Sequence, residues 1–146
     1  MANARSFSNS VVLPNGEVMV VGGTNVGAFF SDAGTIYTPE IWNPTTGQWR
    51  ALADASVPRN YHSLALLLPD GRVWSGGSGL SGNSADHRDA QLFTPPMLYN
   101  TDGSLATRPV ITQAPSGTTN GLVSVSEGAA DLRFAGPGKT DAELRS

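Results

Sequence analysis

The sequence predicts an all-β protein assembled from repeated units of short strands. Three observations predict it. The 146 residues include 17 glycines and 10 prolines, well above the usual share of about 12% for the two together, which marks a chain that turns often. Only 14% of residues are charged, against about 25% in ordinary globular domains. Finally, one ordered block of strand and turn signals occurs twice.

The first copy begins with Ser10-Val11-Val12-Leu13, a β-type run, followed by Pro14 and the turn pair Asn15-Gly16. Asn-Gly pairs tolerate the positive φ that tight hairpins require. A second run then ends in Gly22-Gly23. Downstream, Pro39-Glu40-Ile41-Trp42-Asn43-Pro44 and Gln48-Trp49-Arg50-Ala51-Leu52 supply a third and a fourth run. The second copy repeats the order: an apolar run over 63–68, the pair Asp70-Gly71, a run ending in Gly76-Gly77, and Ala90-Gln91-Leu92-Phe93-Thr94-Pro95. About four strands in a unit of roughly 50 residues, with paired glycines followed by spaced aromatics, is the pattern of a kelch-type propeller blade. Trp42 and Trp49 stand where those aromatics belong. Gly-Gly would let backbones crowd near the ring axis.

A closed propeller needs at least four blades, and two are present, so the ring is expected to be incomplete. After Thr94-Pro95-Pro96 the pattern changes to a turn at Asn100-Thr101-Asp102-Gly103 and new extended runs at 108–112 and 121–126. These read as the opening strands of a separate small β-sandwich, joined by a Pro-rich linker. The expected organisation is propeller blades over 1–98, a linker over 99–108 and the start of the sandwich over 109–146. Asp141-Ala142-Glu143-Leu144-Arg145-Ser146 reads like a chain cut in mid-sequence.

Composition narrows the function. A net charge of −3 with a single lysine, Lys139, and scattered arginines gives no basic stripe, which argues against nucleic acid. The longest apolar stretch, Leu64-Ala65-Leu66-Leu67-Leu68, is far short of the roughly 20 residues of a membrane span, so no membrane partner is expected. No secretory leader is evident after Met1. The absence of cysteine rules out disulfides, thiolate metal sites and cysteine nucleophiles within these residues.

Two histidines exist, His62 and His87. His62 follows Tyr61 in Pro58-Arg59-Asn60-Tyr61-His62-Ser63. Adjacent strand residues point to opposite faces, so Tyr61 and His62 could share a ligand only at an irregular strand entrance, which Pro58 and Asn60 make plausible. A phenolate oxygen with an imidazole nitrogen suits Cu(II). The structural alternative has Tyr61 packing and His62 hydrogen-bonded to a loop. His87, in Ala85-Asp86-His87-Arg88-Asp89, is expected to be structural or solvated.

The run Pro58-Arg59-Asn60-Tyr61-His62-Ser63, continuing through Leu68-Pro69-Asp70-Gly71-Arg72-Val73 and Gly76-Gly77 to Asp89-Ala90-Gln91-Leu92-Phe93-Thr94-Pro95-Pro96, resembles the copper radical oxidases, the family of galactose oxidase and glyoxal oxidase. Ala4-Arg5-Ser6-Phe7 followed by Ser10-Val11-Val12-Leu13-Pro14-Asn15-Gly16 is similar to an internal stretch of the same family. The resemblance implies two-electron oxidation of a primary alcohol, sugar or aldehyde by O2, giving H2O2, at copper paired with a tyrosyl radical. It implies that Tyr61 is a copper ligand and the catalytic base, that His62 is a copper ligand, and that Phe30 walls the substrate. It further implies an early-set immunoglobulin-like domain after Pro109 and an extracellular location.

The chain also departs from the family pattern. The radical tyrosine and its thioether cysteine would lie upstream of Met1, and a further histidine ligand beyond Ser146. Ser81 and Ser84 stand where some members carry a Cys-x-x-Cys pair. The 146 residues alone are therefore expected to be catalytically silent, a fragment of a longer oxidase. The alternative from another class is a non-catalytic kelch-type module that binds carbohydrate or protein. A third reading, a small β-protein closed by oligomerisation, would need its exposed strand edges to pair between chains.

Overall fold

A computed structural model describes residues 1–79, 86–107, 110–113 and 133–135. It divides into two compact units, Met1–Leu98 and Tyr99–Ser146. In the first unit, β1 (Asn9–Val12), β2 (Val18–Val21), β3 (Glu40–Trp42) and β4 (Trp49–Ala51) form an antiparallel sheet in sequence order. A second antiparallel sheet contains β5 (Ser63–Leu67), β6 (Val73–Gly77) and β7 (Ala90–Phe93). The first repeat thus has the four expected strands. The second has three among the described residues, because Pro95 and Pro96 lack the N–H groups a ladder needs and the chain instead enters a 3-10 turn at Pro96–Leu98.

The two hairpins are chemically the same object. In each, a leucine amide and carbonyl close the loop: Leu13 N–H donates to Glu17 O and Gly16 N–H to Leu13 O, as Leu68 N–H donates to Arg72 O and Gly71 N–H to Leu68 O. The turn side chain completes it, with Asn15 Oδ1 accepting from Glu17 N–H at 3.2 Å and Asp70 Oδ1 from Arg72 N–H at 3.1 Å. Only the glycines take positive φ, +82° at Gly16 and +84° at Gly71. The loop is therefore one residue longer than a two-residue Asn-Gly turn, and the glycine supplies the left-handed step after it.

The core lies between the sheets. Val11, Leu13, Met19, Val21 and Ile41 from the first sheet and its hairpin pack with Val73 of the second, supported by Leu52, Ala65, Phe93 and Met97. Each fully buried side chain of this size contributes about 1.5–3 kcal/mol. Strand β2 is buried on both faces at Met19, Val20 and Val21, whereas β4 is exposed throughout. A buried ion pair, Arg5 with Glu40, reinforces the first sheet, its side chains only 0% and 3% exposed. Arg5 also donates to the carbonyls of Gly22 (3.1 Å) and Thr38 (3.2 Å).

In the second unit, β8 (Val110–Gln113) pairs antiparallel with β9 (Arg133–Ala135), with an irregularity between Ile111 and Gln113. A turn closed by Asn100 N–H to Ser104 O repeats the hairpin-loop pattern. The extended run at 121–126, Ser81, Ser84 and the segment from Lys139 to Ser146 lie outside the described residues. Among the described residues no helix is long and apolar enough to cross a membrane.

Candidate metal and substrate site

The site begins with the glycine pair of the first repeat. Gly22 has φ +69°, and a Cβ there would lie 2.1 Å from the Arg59 carbonyl oxygen. Its absence lets the segment Pro58-Arg59-Asn60, buried at all three positions, press against the end of β2. Gly23 N–H then donates to Arg59 O at 2.7 Å. From the second repeat, Gly77 O accepts from the Arg59 guanidinium at 2.9 Å, and Asp89 faces the same nitrogen at 3.3 Å.

Asn60 is the hub of the next layer. Its N–H donates to Ser78 Oγ (3.0 Å), and its amide Nδ2 donates to Ser31 O (3.1 Å) and Thr35 Oγ1 (2.8 Å). Its carbonyl accepts from Ser63 N–H at 3.0 Å, closing a turn with Tyr61 and His62 at the apex, just before β5. His62 adopts φ +68°, a left-handed conformation unusual for a histidine. The strand alternation fails at this point, and the two rings come to one side, stacked with centroids 3.9 Å apart and planes 29° from parallel.

Backbone contacts fix the apex. Gly79 N–H donates to Tyr61 O at 2.7 Å, and His62 Nδ1 lies 3.0 Å from Gly79 O. A carbonyl can only accept, so Nδ1 carries a proton, and the tautomer compatible with this contact has its lone pair on Nε2. Of the two alternatives open at the level of sequence, the structure shows the loop contact of the structural one: His62 is hydrogen-bonded to Gly79 through Nδ1, which leaves Nε2 outside that bond. Tyr61 is half-buried and His62 exposed.

Three phenylalanines wall the apex. Phe7, Phe29 and Phe30 meet the Tyr61 ring edge-to-face, with centroid distances of 5.2, 4.8 and 5.2 Å, and Phe30 also stands 5.9 Å from the His62 ring. Phe7 (φ +60°) and Phe30 (φ +51°) are left-handed too. The structure thus brings Phe30, Tyr61 and His62 together. It adds Phe7, Phe29 and Gly79, which sequence reasoning did not single out, and gives Asn60, expected only to break the strand, the hydrogen bonds that hold the turn. Phe7 carried a signal, since it lies in the Arg5-Ser6-Phe7 stretch, but nothing local connects it to Tyr61.

The phenolic oxygen and imidazole nitrogen are donors suited to Cu(II), and the tethered Nδ1 is the usual support of a metal-binding histidine. The two fit copper as part of a ligand set. Among the described residues no group of three or more His, Cys, Asp or Glu could hold a metal. His87 stands apart, its Nε2 facing the Asp32 carboxylate at 3.0 Å.

Residues 1–102 match the glyoxal oxidase N-terminus family. Galactose oxidase of Gibberella zeae is 50% identical over 111 residues, covering 75% of this chain and 16% of that protein. An aldehyde oxidase of Arabidopsis thaliana is 30% identical over 79% of this chain and 20% of its own length. Among solved structures, a fungal alcohol oxidase of the AA5 family, in complex with copper, superposes with a TM-score of 0.73 at 44% identity, covering 77% of this chain and 24% of the other. The chain therefore spans a quarter or less of the relatives it matches. With that match running through both sheets and the Tyr61-His62 turn, the chain belongs to the glyoxal oxidase N-terminus family of copper radical oxidases.

Proposed function

We propose that this chain is the part of a copper radical oxidase that holds copper through Tyr61 and His62 and oxidises primary alcohols or aldehydes with O2. The observation that carries the reading is the stacked Tyr61-His62 turn, whose Nδ1 contact with Gly79 O leaves Nε2 as a metal donor. In the balanced reaction a primary alcohol gives up two electrons and two protons to become an aldehyde, and O2 takes them to become H2O2. Copper, when bound, supplies a one-electron redox partner and a Lewis acid. Tyr61, as phenolate, takes the hydroxyl proton of the substrate, a general-base role. Phe30, with Phe7 and Phe29 beside it, excludes water from that proton and presents an apolar wall to the carbon being oxidised.

The same reading gives the remaining architecture. The two sheets of residues 1–98 are blades of a kelch-type propeller, each with a glycine pair at its inner end. Residues 99–108 are a linker, 109–146 begin an early-set immunoglobulin-like domain, and the protein works outside the cell. The cysteine-free chain carries no thioether radical of its own, so the 146 residues alone should produce no peroxide.

The test uses the full-length parent. Tyr61→Phe should lower peroxide production by at least about 100-fold, the span of a lost general base, while copper remains bound. His62→Ala should weaken copper binding. A parent whose oxidation rate and copper content ignore both changes would overturn the reading, and the sheets would then serve a binding module.

A further inference from the structure

We propose that His87 and Asp32 form a clamp that positions Phe30 against Tyr61, and so sets the apolar wall of the substrate site from outside it. This rests on the reading of Phe30, Tyr61 and His62 given above. The His87 Nε2 lies 3.0 and 3.1 Å from the two carboxylate oxygens of Asp32, and the side chains are only 19% and 33% exposed. Asp32 is two residues beyond Phe30.

Phe30 needs such a restraint. At φ +51° it holds a conformation that persists only where its surroundings over-determine it. On its upstream side, Val26, Gly27 and Phe29 are exposed. The tethers there are Val26 N–H to Thr24 Oγ1 (3.2 Å) and Asn25 N–H to Gly34 O (3.0 Å). On its downstream side, Ser31 O is held by Asn60 and Asp32 O by Thr35, while the Asp32 side chain is held by His87.

His87 is in turn fixed to the base that carries Tyr61. Its N–H donates to Ser78 O at 3.3 Å, and Ser78 Oγ accepts from Asn60 N–H. Two residues on, Asp89 pairs with Arg59. The contacts close a circuit that runs from Tyr61 through Asn60, Ser78, His87, Asp32 and Phe30 back to Tyr61. His87 touches neither ring of the Tyr61-His62 pair, so it acts as a positioning residue through Asp32.

The test uses the full-length parent with two readouts. Backbone amide exchange over residues 25–34 should accelerate about ten-fold in His87→Ala and equally in Asp32→Ala, no further in the double variant, with β2 amides unchanged; ten-fold corresponds to one lost charge-assisted hydrogen bond. His87→Gln, which keeps an N–H donor, should restore part of the protection. In peroxide assays, His87→Ala should raise KM for an alcohol with kcat held within about two-fold, and this increase should vanish in a Phe30→Ala background.

Unchanged exchange over 25–34 in both single variants overturns the clamp whatever the activity. A KM increase that persists in the Phe30→Ala background overturns Phe30 as its target. A wild-type parent that makes no peroxide overturns the catalytic reading, while the exchange result still decides the clamp. If His87→Ala fails to fold, His87→Phe, which fills the space but has no N–H to donate, carries the same comparison.

Discussion

The His62 imidazole stacks 3.9 Å over the ring of its own sequence neighbour Tyr61, an arrangement no regular strand allows, because His62 takes φ +68°. The turn exchanges backbone comfort for two donors on one side. A left-handed L-residue costs about 1–2 kcal/mol. Here that cost is offset by Gly79, which binds the Tyr61 carbonyl and the His62 ring together.

Stability and metal binding should therefore separate at His62. His62→Gly removes the left-handed strain but adds unfolded-state entropy, so its folding free energy should stay within about 1 kcal/mol of wild type. Copper affinity should nevertheless fall at least ten-fold. Denaturant titration and metal titration of the same full-length variant check this. A parallel loss of both would mean that the turn, and not the ring, is what His62 provides.

Gly22 and Gly16 both have positive φ, yet they should respond very differently to alanine. A Cβ at Gly16 meets nothing within 4 Å, whereas one at Gly22 lies 2.1 Å from Arg59 O. Gly16→Ala should cost about 1–2 kcal/mol, the backbone penalty alone. Gly22→Ala should cost at least about 3 kcal/mol, because Arg59 O must also move. That displacement reaches Asn60 and the Tyr61-His62 turn, so copper binding should weaken in Gly22→Ala and stay unchanged in Gly16→Ala.

Glu40→Ala should destabilise by about 3–5 kcal/mol, since it strands the buried Arg5 guanidinium. Glu40 also accepts from Ala2 N–H at 2.6 Å, so the first residues should loosen as well. Replacing both partners, Arg5→Met with Glu40→Leu, should be closer to wild type than Glu40→Ala alone, because no buried charge is left unpaired. Thermal melts of the three variants distinguish a paired charge from simple packing.

What the sequence revealed of this architecture was its local chemistry. Asn15-Gly16 and Asp70-Gly71 announce their hairpins because the side chain, the turn and the left-handed glycine are all within a few residues. Pro58 and Asn60 announced an irregular entrance to β5, and Tyr61 and His62 do meet there. The aromatic wall was harder. Phe7, Phe29 and Phe30 converge on Tyr61 from two other turns, and Phe7 and Phe30 are left-handed. Phenylalanine gives no local hint of that conformation; tertiary contacts impose it. The Asp32–His87 contact spans 55 positions and belongs to no strand ladder, so no periodicity could signal it.

Glu17 links the first hairpin to the exposed strand β4 and should make the sheet acid-sensitive. Burial acts to raise its pKa, but hydrogen bonds from Asn15 (2.9 Å), Arg50 (2.8 Å) and Asn43 (3.3 Å), with the Arg50 charge, outweigh it and hold the carboxyl below its ordinary 4.5. A carboxyl whose pKa is depressed on folding adds stability above the unfolded value and loses it as pH falls through the folded one. Wild-type stability should thus decline below about pH 4.5 more steeply than that of Glu17→Gln, which has no proton to take up. At neutral pH, where the carboxylate is charged, Glu17→Gln should be the weaker protein, because Arg50 loses its partner while Asn15 and Asn43 keep an oxygen to bind, and this gap should close as pH falls. Denaturant midpoints of both proteins at about pH 7 and about pH 3 test this convergence, and a gap that is the same at both pH values would show that the Glu17–Arg50 contact contributes nothing to holding β4 on the sheet.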